Sequence, residues 1–339
     1  MNSFGRLFRV HIFGESHGEC VGIVVDGCPA GIELSVDDFT ADLERRKGGR
    51  KGTTPRIEDD IPHIKTGTFN GKTTGAPITI LFDNANIRSS DYEKQRDIPR
   101  PGHADFVAHK KFGGNEDYRG SGHFSGRLTV CLVAAGVIAK KIMPSGISIN
   151  STILEIGGEK NIDDGLQKAI DAKDSVGGMI ECKTSGLPVG LGEPFFDSVE
   201  SLISHAVFAI PAVRSIEFGT GIIAARMFGS EHNDAIDDAS GHTKTNHAGG
   251  VVGGITNGNE LVFRIVIKPT SSTPKTQNSL NWETNALEDF SVKGRHDLCI
   301  ALRVPVILEA VTAMVLADLF LLEQKILRVN HGRVDADGN

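Results

Sequence analysis

The stretch Leu261-Val262-Phe263-Arg264-Ile265-Val266-Ile267-Lys268 sets how the rest of the chain is read. Leu261, Phe263, Ile265 and Ile267 alternate with Val262, Arg264, Val266 and Lys268, so the segment is a strand with one apolar and one mixed face. Working outward, residues 304–327 read as a long apolar helix, and residues 197–209 as an amphipathic one. Residues 146–156 and 178–183 read as strands with a helix at 163–172 between them. A strongly apolar helix spans 125–143 and stops at Pro144. Nearer the N-terminus, residues 7–13, 21–26 and 79–82 read as strands and residues 84–103 as a loop. Ser35 followed by Asp37 and Asp38 marks a helix start, with the helix running to about Lys47. The elements do not alternate strictly as strand and helix, which excludes a doubly wound sheet. The expectation is one α+β domain over residues 1–329, followed by a polar tail at 330–339.

Composition narrows the function classes. The 339 residues carry 36 Lys plus Arg and 43 Asp plus Glu, a net charge of −7. That balance argues against a general nucleic-acid or acidic-membrane binder. Aromatic residues are sparse, with 2 Tyr and 1 Trp beside 17 Phe, which argues against a base-stacking platform. Glycine makes up 40 of 339 residues, about 12% against a usual ~7%, pointing to functional loops. Five cysteines, at 20, 28, 131, 182 and 299, form no CxxC and fit reduced thiols in a cytoplasmic protein. No apolar run follows Met1 to Arg6, and the apolar stretch 128–139 is too short to span a bilayer, so neither a signal peptide nor a membrane anchor is expected.

Positive charge is concentrated locally. Arg45, Arg46, Lys47, Arg50, Lys51 and Arg56 fall within twelve residues, and Arg96, Arg100, Lys110, Lys111, Arg119 and Arg127 follow. Such a cluster alone is usually a solvated surface. Here Gly, Pro and His are interspersed, which suits a pocket for a small, multiply anionic ligand. Three histidines sit in turns beside ionisable neighbours: Glu15-Ser16-His17-Gly18, Arg100-Pro101-Gly102-His103-Ala104-Asp105 and Gly294-Arg295-His296-Asp297. Histidine titrates near neutral pH and can pass a proton to a leaving group. Asn246-His247-Ala248-Gly249-Gly250 and Lys268-Pro269-Thr270-Ser271-Ser272 are phosphate-cradle candidates, each ordinary if taken alone. The spacings form neither HExxH nor a Cys/His finger, so no metal is expected.

Taken together, the motifs resemble the chorismate synthase family. The resemblance runs from Phe4 to about Asp318. It rests on Phe13-Gly14-Glu15-Ser16-His17-Gly18, Thr73 to Ile78, Asp91-Tyr92, Arg100 to Asp105, Val133-Ala134-Ala135-Gly136, Gly190 to Pro194, Asn246 to Gly250, Lys268-Pro269-Thr270 and Gly294 to Asp297. The resemblance implies a carbon–oxygen lyase that converts 5-enolpyruvylshikimate 3-phosphate to chorismate and phosphate by anti-1,4-elimination. The reaction requires reduced FMN without net redox change. It also implies a β-α-β sandwich, two antiparallel sheets enclosing helices, assembled as a homotetramer. Carried over by position, His17, His103 and Asp297 would be catalytic. Ser16, Arg46, Arg100, Arg127 and Arg295 would grip the substrate. His123, Phe124, Ser125, Pro211, Ala212, Gly253, Lys268, Pro269, Thr270, Ser271, Ser272 and Arg295 would line the flavin site. Arg46 and Lys51 match positions tied to NADP. The absence of a reductase domain implies that reduced flavin comes from a separate flavin reductase.

The chain departs from the family pattern in several places, including a shorter stretch around residues 157–173 and Pro211 at a position where the family has Asn or Pro; two departures bear on the site. Ser121-Gly122-His123-Phe124-Ser125-Gly126-Arg127-Leu128 stands where the family has Gly-Gly-Arg-Ser-Ser-Ala-Arg-Glu, and Lys47-Gly48-Gly49 stands where an Arg-Pro-Gly is common. Altered flavin contacts are expected from the first. Two competing readings follow: a non-catalytic flavin- or phosphate-binding relative, and a metal hydrolase using the same histidines.

Overall fold

The structure is a computed structural model and describes residues 2–86, 97–292 and 296–325. Its first sheet takes β1 (Ser3–Phe4), β2 (Arg9–Gly14), β3 (Cys20–Asp26), β4 (His63–Ile64) and β7 (Ile78–Asp83), with β5 (Thr68–Phe69) and β6 (Lys72–Thr73) forming a small hairpin between the last two. The sheet order is β1-β2-β3-β7-β4 and every pairing is antiparallel. The second sheet is built from β8 (Ser148–Ile156), β9 (Gly178–Ser185), β10 (Val213–Phe218) and, after the hairpin β11 (Val251–Val252) and β12 (Ile255–Thr256), β13 (Leu261–Ile267). Its order is β10-β13-β9-β8, again antiparallel. A last hairpin is β14 (Gln277–Asn281) with β15 (Ala286–Phe290).

The helices are α1 (Thr40–Arg46), α2 (Asp105–Phe112), α3 (Thr129–Ile142), α4 (Ile162–Ala172), α5 (Val199–Val207), the short α6 (Gly229–His232) and α7 (Val304–Lys325). Helix α3 packs on β3 and β7, α7 packs on β8 and β9, and α3 and α7 pack on each other. The layers therefore run sheet, helix, helix, sheet, an α+β sandwich as expected. Strand β13 explains its own place: Leu261, Phe263, Ile265 and Ile267 are at most 1% exposed, while on the mixed face Arg264 bonds Glu181 at 2.8 Å and the Gly219 carbonyl at 2.8 Å. At the helix crossing Gly136 faces Ala310 so closely that a Cβ there would overlap it.

Helix α7 is apolar all round because it is enclosed on every side. Its buried polar groups each have partners. Asp318 accepts from the backbone N–H groups of Arg6, Leu7 and Phe8 at 2.9, 2.7 and 2.8 Å, and Glu309 takes a fork from Arg45 at 2.6 and 2.7 Å. Segments Ile300–Gln324 and Arg119–Ile142 are long and apolar enough to cross a membrane. By length and composition, then, the apolar run that contains 128–139 is longer than the sequence reading allowed. Both segments are mostly buried, 89% in the first case, as core helices are.

Most boundaries shift by one or two residues from the sequence reading, and three of the differences have a visible local cause. The Ser35 start is a 3₁₀ turn, Val36–Phe39, locked by the Ser35 N–H donating to Asp38 at 2.7 Å, before α1 begins. Helix α3 begins at Thr129 rather than 125, because Ser125 caps a separate 3₁₀ turn, Gly126–Leu128, by accepting from the Arg127 N–H. It ends at Ile142, since Met143 is extended ahead of Pro144. The 330–339 tail lies outside the described residues.

Candidate active site

A cavity of about 850 Å³ opens where the end of α1, residues 119–129, the loop after α5, residues 268–272 and the start of α7 meet. Seven basic side chains (Arg46, Lys47, Arg56, Arg100, Arg127, Lys268, Arg303) line it against three acidic ones (Glu58, Asp60, Asp297). A positive cavity is thus carved in a chain of negative net charge.

Its floor is a buried trio. Asp60, at φ +53°, accepts from Arg46 Nη2 at 2.5 Å and from Arg127 Nη1. Arg127 also donates to Asn84 Oδ1 at 2.9 Å and to the Asp83 carbonyl at 3.0 Å. Burial alone would raise the Asp60 carboxyl, but Arg46 and Arg127 outweigh it and hold it below the usual carboxylate range. Burial lowers the Arg46 guanidinium to about 10, so it stays charged at neutral pH. A second group forms around Asp297, which accepts from the Thr54 N–H at 2.9 Å and pairs with Arg303 at 3.2 Å. Arg303 Nε in turn donates to the Arg46 carbonyl at 2.9 Å.

The third group carries the histidine. Arg100 forks onto Asp105 at 2.7 and 2.8 Å and donates to Ser272 at 3.1 Å. His103 Nδ1 lies 2.6 Å from Asp105 Oδ1 and 3.1 Å from Arg100 Nη2; the shorter contact, to a carboxylate that only accepts, assigns the proton to Nδ1 and turns Nε2 away from the carboxylate. Burial lowers His103 despite the opposing bond from Asp105, so the ring is neutral at pH 7. Burial works to raise Asp105, but the hydrogen bonds from Arg100 and His103 drive it far below the carboxylate range. Lys268 donates to the Gly102 carbonyl at 2.9 Å and to Ser271 at 2.6 Å, and burial lowers it.

Of the residues singled out from sequence, the structure brings Arg46, Arg100, His103, His123, Phe124, Ser125, Arg127, Pro211, Ala212, Lys268, Pro269, Thr270, Ser271, Ser272 and Asp297 to this one cavity. Four fall elsewhere. Ser16 and His17 are buried one layer behind the wall, covered by Gly120, where a Cβ would overlap the His17 ring. Burial and then Arg56 lower His17. Lys51 is exposed on the surface, and Gly253 sits in the β11–β12 turn, away from the cavity. Arg295 lies outside the described residues. His123 turns inward to the backbone, with Nδ1 2.8 Å from the Gly14 carbonyl and Nε2 3.1 Å from Asn2.

Sequence reasoning missed Asp60 and Arg303, and named Arg56 only as a member of the basic cluster. The signal for Asp60 was the acidic run Glu58-Asp59-Asp60 directly after six basic residues. Among the described residues no three His, Cys, Asp or Glu side chains converge as a metal site. The thiols of Cys28, Cys131, Cys182 and Cys299 are pushed up by burial to between about 11 and about 12, so they are not nucleophiles.

Fold and site together define an enzyme that encloses a small, multiply anionic ligand. Residues 8–321 match the family model described as chorismate synthase. A chorismate synthase of Chitinophaga pinensis is 70% identical over 97% of this chain and 99% of its own length. One from Dehalococcoides mccartyi strain BAV1 is 44% identical over 97% and 99%. A chorismate synthase crystal structure superposes with a TM-score of 0.71 at 25% identity, covering 94% of this chain and 93% of the other. The chain belongs to the chorismate synthase family, and its class is that of a carbon–oxygen lyase acting on phosphate in aromatic amino-acid biosynthesis. The non-catalytic alternative is not favoured.

Proposed function

We propose that the cavity binds 5-enolpyruvylshikimate 3-phosphate beside reduced FMN and catalyses the anti-1,4-elimination of phosphate to give chorismate. The observation that carries this reading is the convergence of Arg46, Arg100, Arg127, Lys268, His103 and Asp297 on one enclosed volume. Two carboxylates and a phosphate call for several desolvated guanidinium and ammonium groups.

The residues present fit a flavin. About 850 Å³ is within the range of cofactor-sized sites. Two buried polar atoms of lining residues, Arg46 Nε and Thr270 Oγ1, have no hydrogen-bond partner among the described residues. Ser125, Pro211, Ala212 and the Lys268–Ser272 run would hold the cofactor. When bound it supplies the electron-rich ring that eases phosphate loss. The protein's own part is positional and acid–base. Arg46, Arg100 and Arg127 orient the anionic groups. His103, neutral with its Nε2 lone pair free of the carboxylate, would take up a proton at Nε2 for exchange with the flavin. Asp297, steadied by Thr54 and Arg303, receives the C6 proton. His17 serves the leaving phosphate once the turn at Gly120 shifts off it.

The exposed side chains of Phe195, Phe196, Ile222 and Phe228, between 75% and 92% exposed, support a homotetramer, in which Gly253 can meet a flavin only in a neighbouring copy's cavity. Reduced flavin would come from a separate reductase, in the cytoplasm. A role for Arg46 in NADP contact remains compatible with its position, whereas Lys51 would have to act from outside the cavity.

The test is anaerobic turnover of the purified protein with substrate and chemically reduced FMN, followed by chorismate absorbance. Turnover that disappears with oxidised FMN is expected. Binding of both ligands without turnover would overturn the catalytic reading and point to His123 and Phe124.

A further inference from the structure

We infer that Ser121 is a positioning residue for His103, its hydroxyl holding the imidazole with the proton on Nδ1 and the lone pair on Nε2. This rests on the reading of His103 as the proton-exchanging group. The starting observation is conformational. Gly120, Ser121 and Gly122 follow one another with φ of +56°, +71° and +50°. Two of the three are glycines, as this backbone demands, yet the middle residue carries a side chain. A non-glycine residue held in the left-handed region persists where its surroundings over-determine it, and such residues gather at functional sites.

What the side chain does there is visible. Ser121 Oγ lies 3.0 Å from Arg100 Nη2 and 3.3 Å from His103 Nε2. The guanidinium can only donate, so it occupies a serine lone pair and leaves the hydroxyl proton to point at the imidazole. On the opposite edge of the ring, Asp105 at 2.6 Å requires hydrogen on Nδ1. The Asp105 and Ser121 contacts agree that Nδ1 donates and Nε2 accepts, and the 2.6 Å carboxylate contact prevails over Arg100 Nη2 at 3.1 Å from the same nitrogen. The charged groups facing the ring among the described residues are Arg100, whose Nη2 is 3.1 Å from Nδ1, Asp105 and Lys268, and none of them is hydrogen-bonded to Nε2. The serine also borders both the main cavity and a neighbouring one of about 340 Å³, so the bond lies in the wall between them. A bond donated to the lone pair exists only in the neutral ring, so losing it makes protonation easier.

The test is the titration of His103 followed by NMR of histidine-labelled protein, with the resonance assigned through His103→Gln. Ser121→Gly suits the backbone and keeps the fold. Ser121→Ala keeps the Cβ and removes only the hydroxyl. Both variants should titrate His103 at higher pH than the parent, and the acid limb of kcat/KM should move the same way. An unchanged midpoint in Ser121→Ala overturns the inference, whatever Ser121→Gly does. If the midpoint rises in both while the turnover profile stays fixed, the positioning role stands and the assignment of His103 to turnover fails.

Discussion

His103 Nδ1 stands 2.6 Å from Asp105 Oδ1, and the same carboxylate receives the Arg100 fork at 2.7 and 2.8 Å. One buried anion thereby sets the tautomer of the histidine and the aim of the guanidinium. Asp105→Asn removes the charge and offers His103 an ambiguous partner. Turnover should fall by about 10²-fold or more, the scale of a lost acid–base contribution, with KM changing less than kcat. Steady-state kinetics on a variant with parental circular dichroism checks this, and parental kcat would refute it.

Among the described residues, Asp60 is the one acid that pairs with both Arg46 and Arg127. Asp60→Ala leaves two guanidinium groups buried without their counter-charge, and should cost about 3–5 kcal/mol. Urea unfolding measures it. A loss below about 1 kcal/mol would mean that water reaches the arginines.

The pH dependence of stability has a definite sign. His17 and His103 are lowered in the folded state, so the unfolded chain binds protons more readily below its ordinary value of about 6.5. Their contribution is complete above that pH and is lost as pH falls through it. Asp60 and Asp105 are held low, so their stabilisation is present above about 3.9 and is lost only in stronger acid. Melting temperature should therefore start to drop below about pH 6.5 and drop again below about pH 4. The double variant His17→Asn, His103→Asn should flatten the first step but not the second.

Gly120 covers His17 at φ +56°. Gly120→Ala places a methyl group in the imidazole and a left-handed strain of about 1–2 kcal/mol on the backbone. Both the melting temperature and turnover should fall. Full activity in this variant would show that the turn rests elsewhere when ligands are bound.

Much of the fold was legible because period reports burial directly. The alternation in Leu261–Ile267 and the unbroken apolar character of α7 located a half-covered strand and a fully enclosed helix. The errors fell at ends, where local chemistry overrides period. Ser125 caps a 3₁₀ turn rather than joining α3, a choice made by one hydroxyl. Most of the site residues named from motifs met in one cavity, since the turns that carry them, at 100–105, 121–128 and 268–272, converge. Those that did not, Ser16, His17, Lys51 and Gly253, show what a motif omits: whether a residue faces the ligand or stands behind the one that does.

The sequence by itself determined the class of fold, the family and the residue types of the site, because apolar spacing and ordered motifs are properties of the chain. Tertiary structure alone decided that Asp60 would neutralise arginines from α1 and from the turn before α3, that Gly120 would shield His17, and that Ser121 would face His103. Each of these depends on distances between segments far apart in sequence or on a backbone angle. Short-range charge, hydrogen-bond and overlap energies change steeply over an ångström, and residue order does not specify that separation.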